Sequence, residues 1–198
     1  IIKNNVGGSD RALEFHATTG DGNHETIKFF SDTGSSQIVN INQYGLTFGT
    51  DSAAANALDD YEEGSWTPDQ RFNGSNSGVT YNNREGSYTK IGRMVTLNWN
   101  IELTSKGSQN GGAAIYGLPF TPANLLTNTS VQSNGTSAYW NNFDPDIYNM
   151  VFAANDAGYI NIRSQDEGGL HDALQDMTDS TFRDDSTYRG TVTYFVWS

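Results

Sequence analysis

The clearest alternation of apolar and polar residues in the chain lies between Gly86 and Leu103. From residue 91 onward one parity is apolar except for Arg93, and its apolar members are Ile91, Val95, Leu97, Trp99, Ile101 and Leu103. The other parity is polar except for Met94. Successive side chains of a strand point to opposite faces, so this alternation predicts a half-buried antiparallel strand in the centre of a sheet.

A second alternating stretch covers residues 188–197. One parity is Val192, Tyr194 and Val196, while the other changes from threonine to Phe195 and Trp197. Apolar residues on both faces predict burial on both sides, in a core or at a subunit interface.

The remaining pattern predicts shorter elements. Strands are expected at residues 78–81, 113–118, 131–140, 150–154 and 158–163. Asn110-Gly111, within the segment 107–112, predicts a hairpin turn. The apolar spacing over residues 170–177 is compatible with a short amphipathic helix, which Gly168 and Gly169 disfavour.

Residues 1–50 contain short apolar groups separated by turn signals, which predict strands of three to five residues. These groups are Leu13–Phe15, Ile27–Phe30, Ile38–Ile41 and Leu46–Phe48. Each has too little apolar surface for its own core, so we expect them to stack on one another or on other chains, as a multi-chain shaft. The alternative is an ordinary set of hairpins packed on the main domain.

Composition supports an all-β protein of two parts. The 198 residues include 21 glycines, and Asn, Ser and Thr recur throughout, which favours strands and turns over helices. Small residues over 51–58 mark a change of character. We predict a β-rich shaft or neck over residues 1–56 and a head over residues 57–198. The expected fold is a trimeric shaft of short β-strands followed by a jelly-roll-like β-sandwich.

The net charge of −12, from 11 basic and 23 acidic residues, disfavours partners that are polyanions. Nucleic acid binding depends on cations that neutralise phosphates, and an anionic membrane surface would repel this chain. No apolar run approaches the roughly 20 residues that cross a bilayer. The chain has no cysteine, so disulfides and thiolate metal sites are excluded.

Known catalytic and metal-binding motifs are incomplete in this sequence. His24-Glu25-Thr26-Ile27-Lys28 has lysine where a zincin has its second histidine, and Gly74-Ser75-Asn76-Ser77-Gly78 has Asn76 in place of a nucleophile. Asp144-Pro145-Asp146 lacks the later ligands of a calcium loop. We therefore expect no catalytic residues, no metal and no cofactor.

Carboxylate pairs suited to glycoside cleavage are the serious enzymatic alternative, because two acids about 5 to 9.5 Å apart can act on a glycosidic bond. The candidates by residue type are Asp59, Asp60, Glu62, Glu63, Asp166, Glu167, Asp184 and Asp185. Adjacent acids on a strand point to opposite faces and make poor pairs, so solvated surface acids are the favoured interpretation.

An aromatic and amide cluster is the candidate ligand-binding site. Its residues are Tyr139, Trp140, Asn141, Asn142, Phe143, Asp144 and Tyr148. An aromatic ring can pack on the C–H face of a sugar while amides and carboxylates bind its hydroxyls. The competing and somewhat favoured interpretation is that Trp140 and Phe143 anchor a loop to the core.

Three stretches together resemble the distal region of tailed-bacteriophage tail fibres and related virion structural proteins. The first stretch is Gly45-Leu46-Thr47-Phe48-Gly49 together with the segment that runs from Ala53 to Pro68 and ends in the acidic joint Asp59-Asp60-Tyr61-Glu62-Glu63-Gly64-Ser65-Trp66-Thr67-Pro68. The second is Tyr88–Thr96, and the third is Ile115–Thr121. The resemblance covers roughly residues 45–121. It implies a homotrimeric fibre end, carried on the virion, that attaches to a bacterial host and joins other tail proteins through its N-terminal side.

The expected function is receptor binding without catalysis, by a surface between residues 122 and 187, where the resemblance stops. The expected ligand is a bacterial surface glycan, with a surface protein next. The alternatives are a tailspike-like polysaccharide-degrading enzyme and a purely structural fibre or capsid-decoration domain. Nucleic acid and membrane insertion are not expected. We expect Trp66 and Tyr88 to be structural.

Overall fold

The computed structural model describes residues 27–30, 37–42, 45–48, 58, 60–125, 133, 135–143, 147–166 and 174–197. The chain divides into two compact units, residues 1–59 and residues 60–198. Within the described residues, no helix is long and apolar enough to span a bilayer.

In the first unit, the described residues form three short strands of an antiparallel sheet. These are β1 (Ile27–Phe30), β2 (Gln37–Asn42) and β3 (Gly45–Phe48), paired in chain order. Leu46 and Leu58 exchange backbone hydrogen bonds of 3.1 and 2.8 Å. The short strands predicted here are confirmed, while Leu13–Phe15 lies outside the described residues. Association of this unit with other copies stays a prediction.

The described residues of the second unit form ten strands of one antiparallel sheet. They are β4 (Tyr61–Trp66), β5 (Asp69–Phe72), β6 (Val79–Ile91), β7 (Met94–Lys106), β8 (Ala113–Tyr116), β9 (Gly135–Phe143), β10 (Ile147–Asn155), β11 (Tyr159–Asp166), β12 (Gln175–Asp176) and β13 (Phe182–Phe195). The spatial order is β4-β6-β7-β13-β9-β10-β11-β8-β5, with β12 paired to β11.

The sheet curls so that its two halves cover a shared core. At its middle, β9 and β10 pair through two residue pairs among the described residues, Val151 with Thr136 and Phe152 with Gly135. Across the core, the Phe152 ring on β10 lies 4.7 Å from the Trp99 ring on β7, between ring centroids. Tyr188 on β13 donates a hydrogen bond to Gln70 on β5. A twisted open sheet of about ten strands tends to curl in this way.

The all-β class is therefore confirmed, but the jelly-roll-like sandwich is not. A sandwich has two separate sheets, whereas the described strands of the second unit form one continuous curled sheet. Its order also corrects the hairpin expected at Asn110-Gly111. The segment 107–112 joins β7 to β8, which are not neighbours, because β7 pairs with β6 and β13 while β8 pairs with β5 and β11.

The long alternating stretch is half confirmed and half corrected. On β7 the predicted apolar parity is buried, from Val95 to Leu103. The preceding residues belong to β6, because Gly92 (φ 56°) and Arg93 form a two-residue turn. Ile91 and Met94 are paired across this turn and are each 39% exposed on the outer face, opposite the core. Residue parity therefore changes face at the turn.

The predicted last strand is confirmed as β13, with its inner parity buried. The outer parity is not buried within the head, since Phe195 is 45% and Trp197 66% exposed. The subunit-interface alternative for this face stays a prediction. The short helix compatible with the apolar spacing over residues 170–177 is not seen in the described part of this segment. Residues 170–173 lie outside the described residues, and residues 175–176 form β12.

Candidate functional site

The aromatic cluster predicted from the sequence is divided between β9 and β10. Tyr139 and Asn141 point outward from β9 and are exposed, while Trp140 between them packs partly against the core. Tyr148 is exposed on β10. Asp144 lies outside the described residues. The outward residues are those that retain a surface able to bind a ligand.

Two cluster residues have structural contacts instead. Phe143 is buried, with its ring centroid 4.9 Å from that of Phe182. Asn142 has φ 61° and donates a 3.0 Å hydrogen bond to the Asp185 carboxylate. The left-handed conformation at Asn142 interrupts the strand, so Phe143 turns to the core although its parity matches that of Tyr139. The anchoring interpretation thus fits Phe143 and Trp140, and the assignment of the cluster as a binding site stays a prediction.

On the outer face, Tyr139 belongs to a cross-strand row of polar groups. Tyr139 is paired with Arg189 on β13, whose guanidinium carbon lies 5.3 Å from the tyrosine ring centroid. The Arg189 Nε donates a 3.0 Å hydrogen bond to the side-chain oxygen of Asn100. The row presents an aromatic ring, a cation and an amide side by side, which together suit polar ligands with apolar faces.

A pocket on the other half of the sheet was missed by sequence reasoning. It has a volume of about 290 Å³ and lies over Ala114 on β8. Residues from separate parts of the chain line it, among them Asn73, Ala114, Tyr116, Tyr159, Asn161 and Asp176. The pocket has no signal in the sequence because its residues form no motif and are far apart along the chain. The order of the strands brings them together.

A partly buried polar network lies next to this pocket and joins β5 to β6. Asp69 accepts hydrogen bonds from Arg71 (2.8 Å), Tyr81 (3.0 Å), Asn76 (3.1 Å) and Arg84 (3.1 Å). Burial alone would raise the pKa of Asp69, but the bonds from Arg71, Tyr81 and Asn76 outweigh it and leave the pKa below its ordinary value. Burial and then the Asp69 charge raise the pKa of Tyr81 to about 12.

Several of the carboxylates considered for glycoside cleavage have structural partners. Glu62 accepts from the Tyr88 hydroxyl (2.7 Å), Glu63 from the Tyr61 hydroxyl (2.9 Å), Asp184 from the Lys106 amide (2.9 Å), and Asp60 pairs with Lys90. Asp59 and Glu167 lie outside the described residues. In the part of the chain that the structure describes, no three His, Cys, Asp or Glu side chains cluster as a metal site would need.

Comparison with known proteins places the fold. No family model matches the chain, and no curated protein matches it. Among solved structures, the chain is similar to the crystal structure of the Dettilon tailspike protein, with a TM-score of 0.53 and 16% sequence identity. The match covers 71% of this chain and 25% of that one, so the chain spans about a quarter of the tailspike's length. At this identity the likeness is one of fold, and a structural neighbour is thus a phage tail protein.

Proposed function

We propose that this chain is the distal part of a tailed-phage tail fibre, located on the virion, which attaches the particle to a glycan on its bacterial host. The observation that carries the proposal is the fold likeness to a phage tailspike. It is independent of the sequence motifs around residues 45–121, which suggest the same class of protein. Attachment to the rest of the tail is assigned to the N-terminal side.

The glycan is assigned to the outer surface formed by residues 122–187 and their strand neighbours. Tyr139, Asn141 and Tyr148 are exposed there, and Arg189 lies beside the Tyr139 ring. Aromatic rings supply contact for sugar C–H groups, and amide and guanidinium groups supply directional hydrogen bonds to hydroxyls.

The proposal includes a homotrimer, and an exposed apolar row supports it. Tyr61, Ile91, Met94 and Phe195 are consecutive register partners across β4, β6, β7 and β13, and all four are exposed on the same face. Contiguous exposed apolar surface is a common mark of protein interfaces. Three sites on one axis would strengthen a weak single contact through effective concentration.

The test is to incubate the 198-residue chain with envelope polysaccharides and whole cells from a panel of bacteria. The proposal expects retention without new reducing ends, and weaker retention of the Asn141→Ala variant. Asn98→Ala, the same change on the outer face of β7, is the matched control and should be retained normally.

The other outcomes separate the remaining functions. New reducing ends would make the chain a polysaccharide-degrading enzyme, the function that the neighbour's description as a tailspike keeps open. A lack of retention on every polysaccharide and every cell would contradict attachment and leave a structural fibre or decoration role.

A further inference from the structure

The pocket over Ala114 owes its depth to a small residue in the middle of three paired strands. On the outer face, Ala114 is paired with Arg71 on β5 and with Asn161 on β11. A methyl group between two larger side chains leaves a depression in the outer face. The next outward residue on β8 is Tyr116, which forms one wall.

The aromatic wall is rigid. The Tyr116 and Tyr159 rings are stacked, with centroids 5.1 Å apart and planes 22° from parallel. The Arg71 guanidinium carbon lies 4.6 Å from the Tyr116 centroid. Because β5 and β11 flank β8 on opposite sides, the Tyr116 ring is held between the guanidinium and Tyr159. Burial first, and Tyr159 second, raise the pKa of Tyr116, so its hydroxyl stays protonated at neutral pH.

The polar wall has hydrogen bonds to its surroundings at two of its residues. The Asn73 backbone, with φ 49°, donates a 2.8 Å hydrogen bond to the carbonyl of Gly112. The Asp176 carboxylate accepts a 2.7 Å bond from Arg163 Nε and remains two-thirds exposed, at 66%. With Asn161, the wall provides two amides and one carboxylate, which can donate and accept hydrogen bonds.

The charges next to the pocket are already balanced. Arg71 bonds Asp69 at 2.8 Å and Arg163 bonds Asp176 at 2.7 Å, so both cations have a carboxylate partner. The chain as a whole carries −12. An acidic ligand would therefore meet repulsion with no unpaired cation among these two arginines to offset it.

We infer that this pocket binds one neutral pyranose unit of the glycan, as a second sugar site distinct from the Tyr139 surface; the inference rests on the proposed function. The Tyr159 ring contacts the C–H groups of the sugar, and Asn73, Asn161 and Asp176 bind its hydroxyls. A volume of about 290 Å³ is at the small end of ligand pockets, which suits one ring rather than an oligosaccharide.

The experiment measures single sugars by saturation-transfer NMR, with glucose, galactose, mannose and N-acetylglucosamine as neutral probes and glucuronic acid as the acidic one. We expect at least one neutral sugar to bind at millimolar concentration and glucuronic acid not to bind. Asn161→Ala should weaken binding about tenfold, as the loss of one or two hydrogen bonds implies. Ala114→Ile, which fills the depression, should abolish it.

Two controls protect the result. Asn98→Ala makes the same change on β7 and should bind as the unaltered chain does. Thermal melting shows whether Ala114→Ile folds, and Tyr159→Ala, which removes the ring that contacts the sugar, tests the pocket if it does not. Binding that is unaffected by Asn161→Ala and Tyr159→Ala, or an absence of binding by every neutral sugar, would overturn the inference.

Retention on polysaccharide separates this inference from the proposed function. If the unaltered chain is retained and the pocket variants are retained equally, the pocket is not a glycan site, and attachment stands. If single sugars bind in the pocket but no polysaccharide or cell retains the chain, the sugar site stands, and host attachment fails.

Discussion

At the scale of single residues, Trp66 is the side chain whose surroundings most clearly define its role. It is 7% exposed, its Nε1 donates a 3.1 Å bond to the carbonyl of Asn98, and its ring meets Trp99 edge to face at 6.2 Å. Gly86, its register partner, has no side chain and thereby leaves room for the indole. The structural role expected from the sequence agrees with these contacts.

We predict that Trp66→Ala lowers the free energy of unfolding by about 3 to 5 kcal/mol, because it removes a large buried ring and leaves a cavity. Denaturant unfolding followed by circular dichroism measures the change. Trp197→Ala removes the same side chain from a 66% exposed position and should change stability far less. Equal free energies of unfolding for Trp66→Ala and the unaltered chain would contradict the structural role of Trp66.

The Asp69 network predicts a loss of stability in acid. The pKa of Asp69 is lower in the folded chain than its ordinary value of 3.8, so its contribution is present above that value and is lost as pH falls through the folded pKa. We expect Asp69→Asn to be less stable at neutral pH and to depend less on pH below about 4. Denaturation midpoints across this range give the answer. If the stability of the variant falls as steeply in acid as that of the unaltered chain, carboxylates other than Asp69 dominate the loss of stability.

The raised pKa of Tyr81 predicts a loss of stability at alkaline pH. Its pKa rises from 10.0 to about 12 on folding, so its contribution is complete below pH 10 and disappears as pH rises through about 12. Tyr81→Phe cannot ionise and should flatten this alkaline decline, at the cost of the hydrogen bond to Asp69. Absorbance of tyrosinate during titration would place the ionisation directly. An alkaline decline as steep in the variant as in the unaltered chain would count against this assignment.

At the scale of elements, β13 determines how closely the two halves of the sheet approach. Gly190 on β13 lies under the Phe152 and Trp99 rings, and a Cβ there would stand 2.5 Å from Phe152 and 2.6 Å from Trp99. Such distances require the rings to move. The close approach of β10 to β7 and β13 thus depends on the absence of a side chain at this position.

We predict that Gly190→Ala destabilises the chain by about 1 to 3 kcal/mol through overpacking. Gly112→Ala is the matched control, because a Cβ at Gly112 meets no atom within 4 Å. Thermal melting of the two variants in parallel measures the difference. If Gly190→Ala has the same melting temperature as Gly112→Ala and the unaltered chain, the interpretation of β13 as the close-packed centre is wrong.

At the scale of the whole molecule, the apolar row leads to a prediction about assembly. We expect light scattering to give a mass of about three times the 21.7 kDa of one chain. Phe195→Asp places a charge within the row and should lower that mass toward one chain, because a buried unpaired charge is costly. Thr193→Asp introduces the same aspartate on the same face of β13 but outside the row, and it should leave the mass unchanged. A mass near 22 kDa for the unaltered chain at micromolar concentration would contradict the trimer.

The sequence by itself determined the class of structure and the inner face of its central strand. Period-two alternation is a local property, so the burial of Val95, Leu97 and Ile101 on β7 follows from their spacing wherever the strand is placed. The burial of Val192, Tyr194 and Val196 on β13 fits the same alternation, although the sequence predicted burial on both faces of that strand. The phage tail resemblance also came from contiguous stretches of sequence.

Only the tertiary structure decided where those strands lie. A two-residue turn at Gly92 moved Ile91 to the outer face, because alternation continues in each strand but not across the turn between them. The left-handed Asn142 likewise sent Phe143 to the core. The pocket over Ala114 joins residues from Asn73 to Asp176 through the pairing of β5, β8, β11 and β12. Such pairings depend on how the whole sheet closes over its core, and no local pattern of residues encodes them.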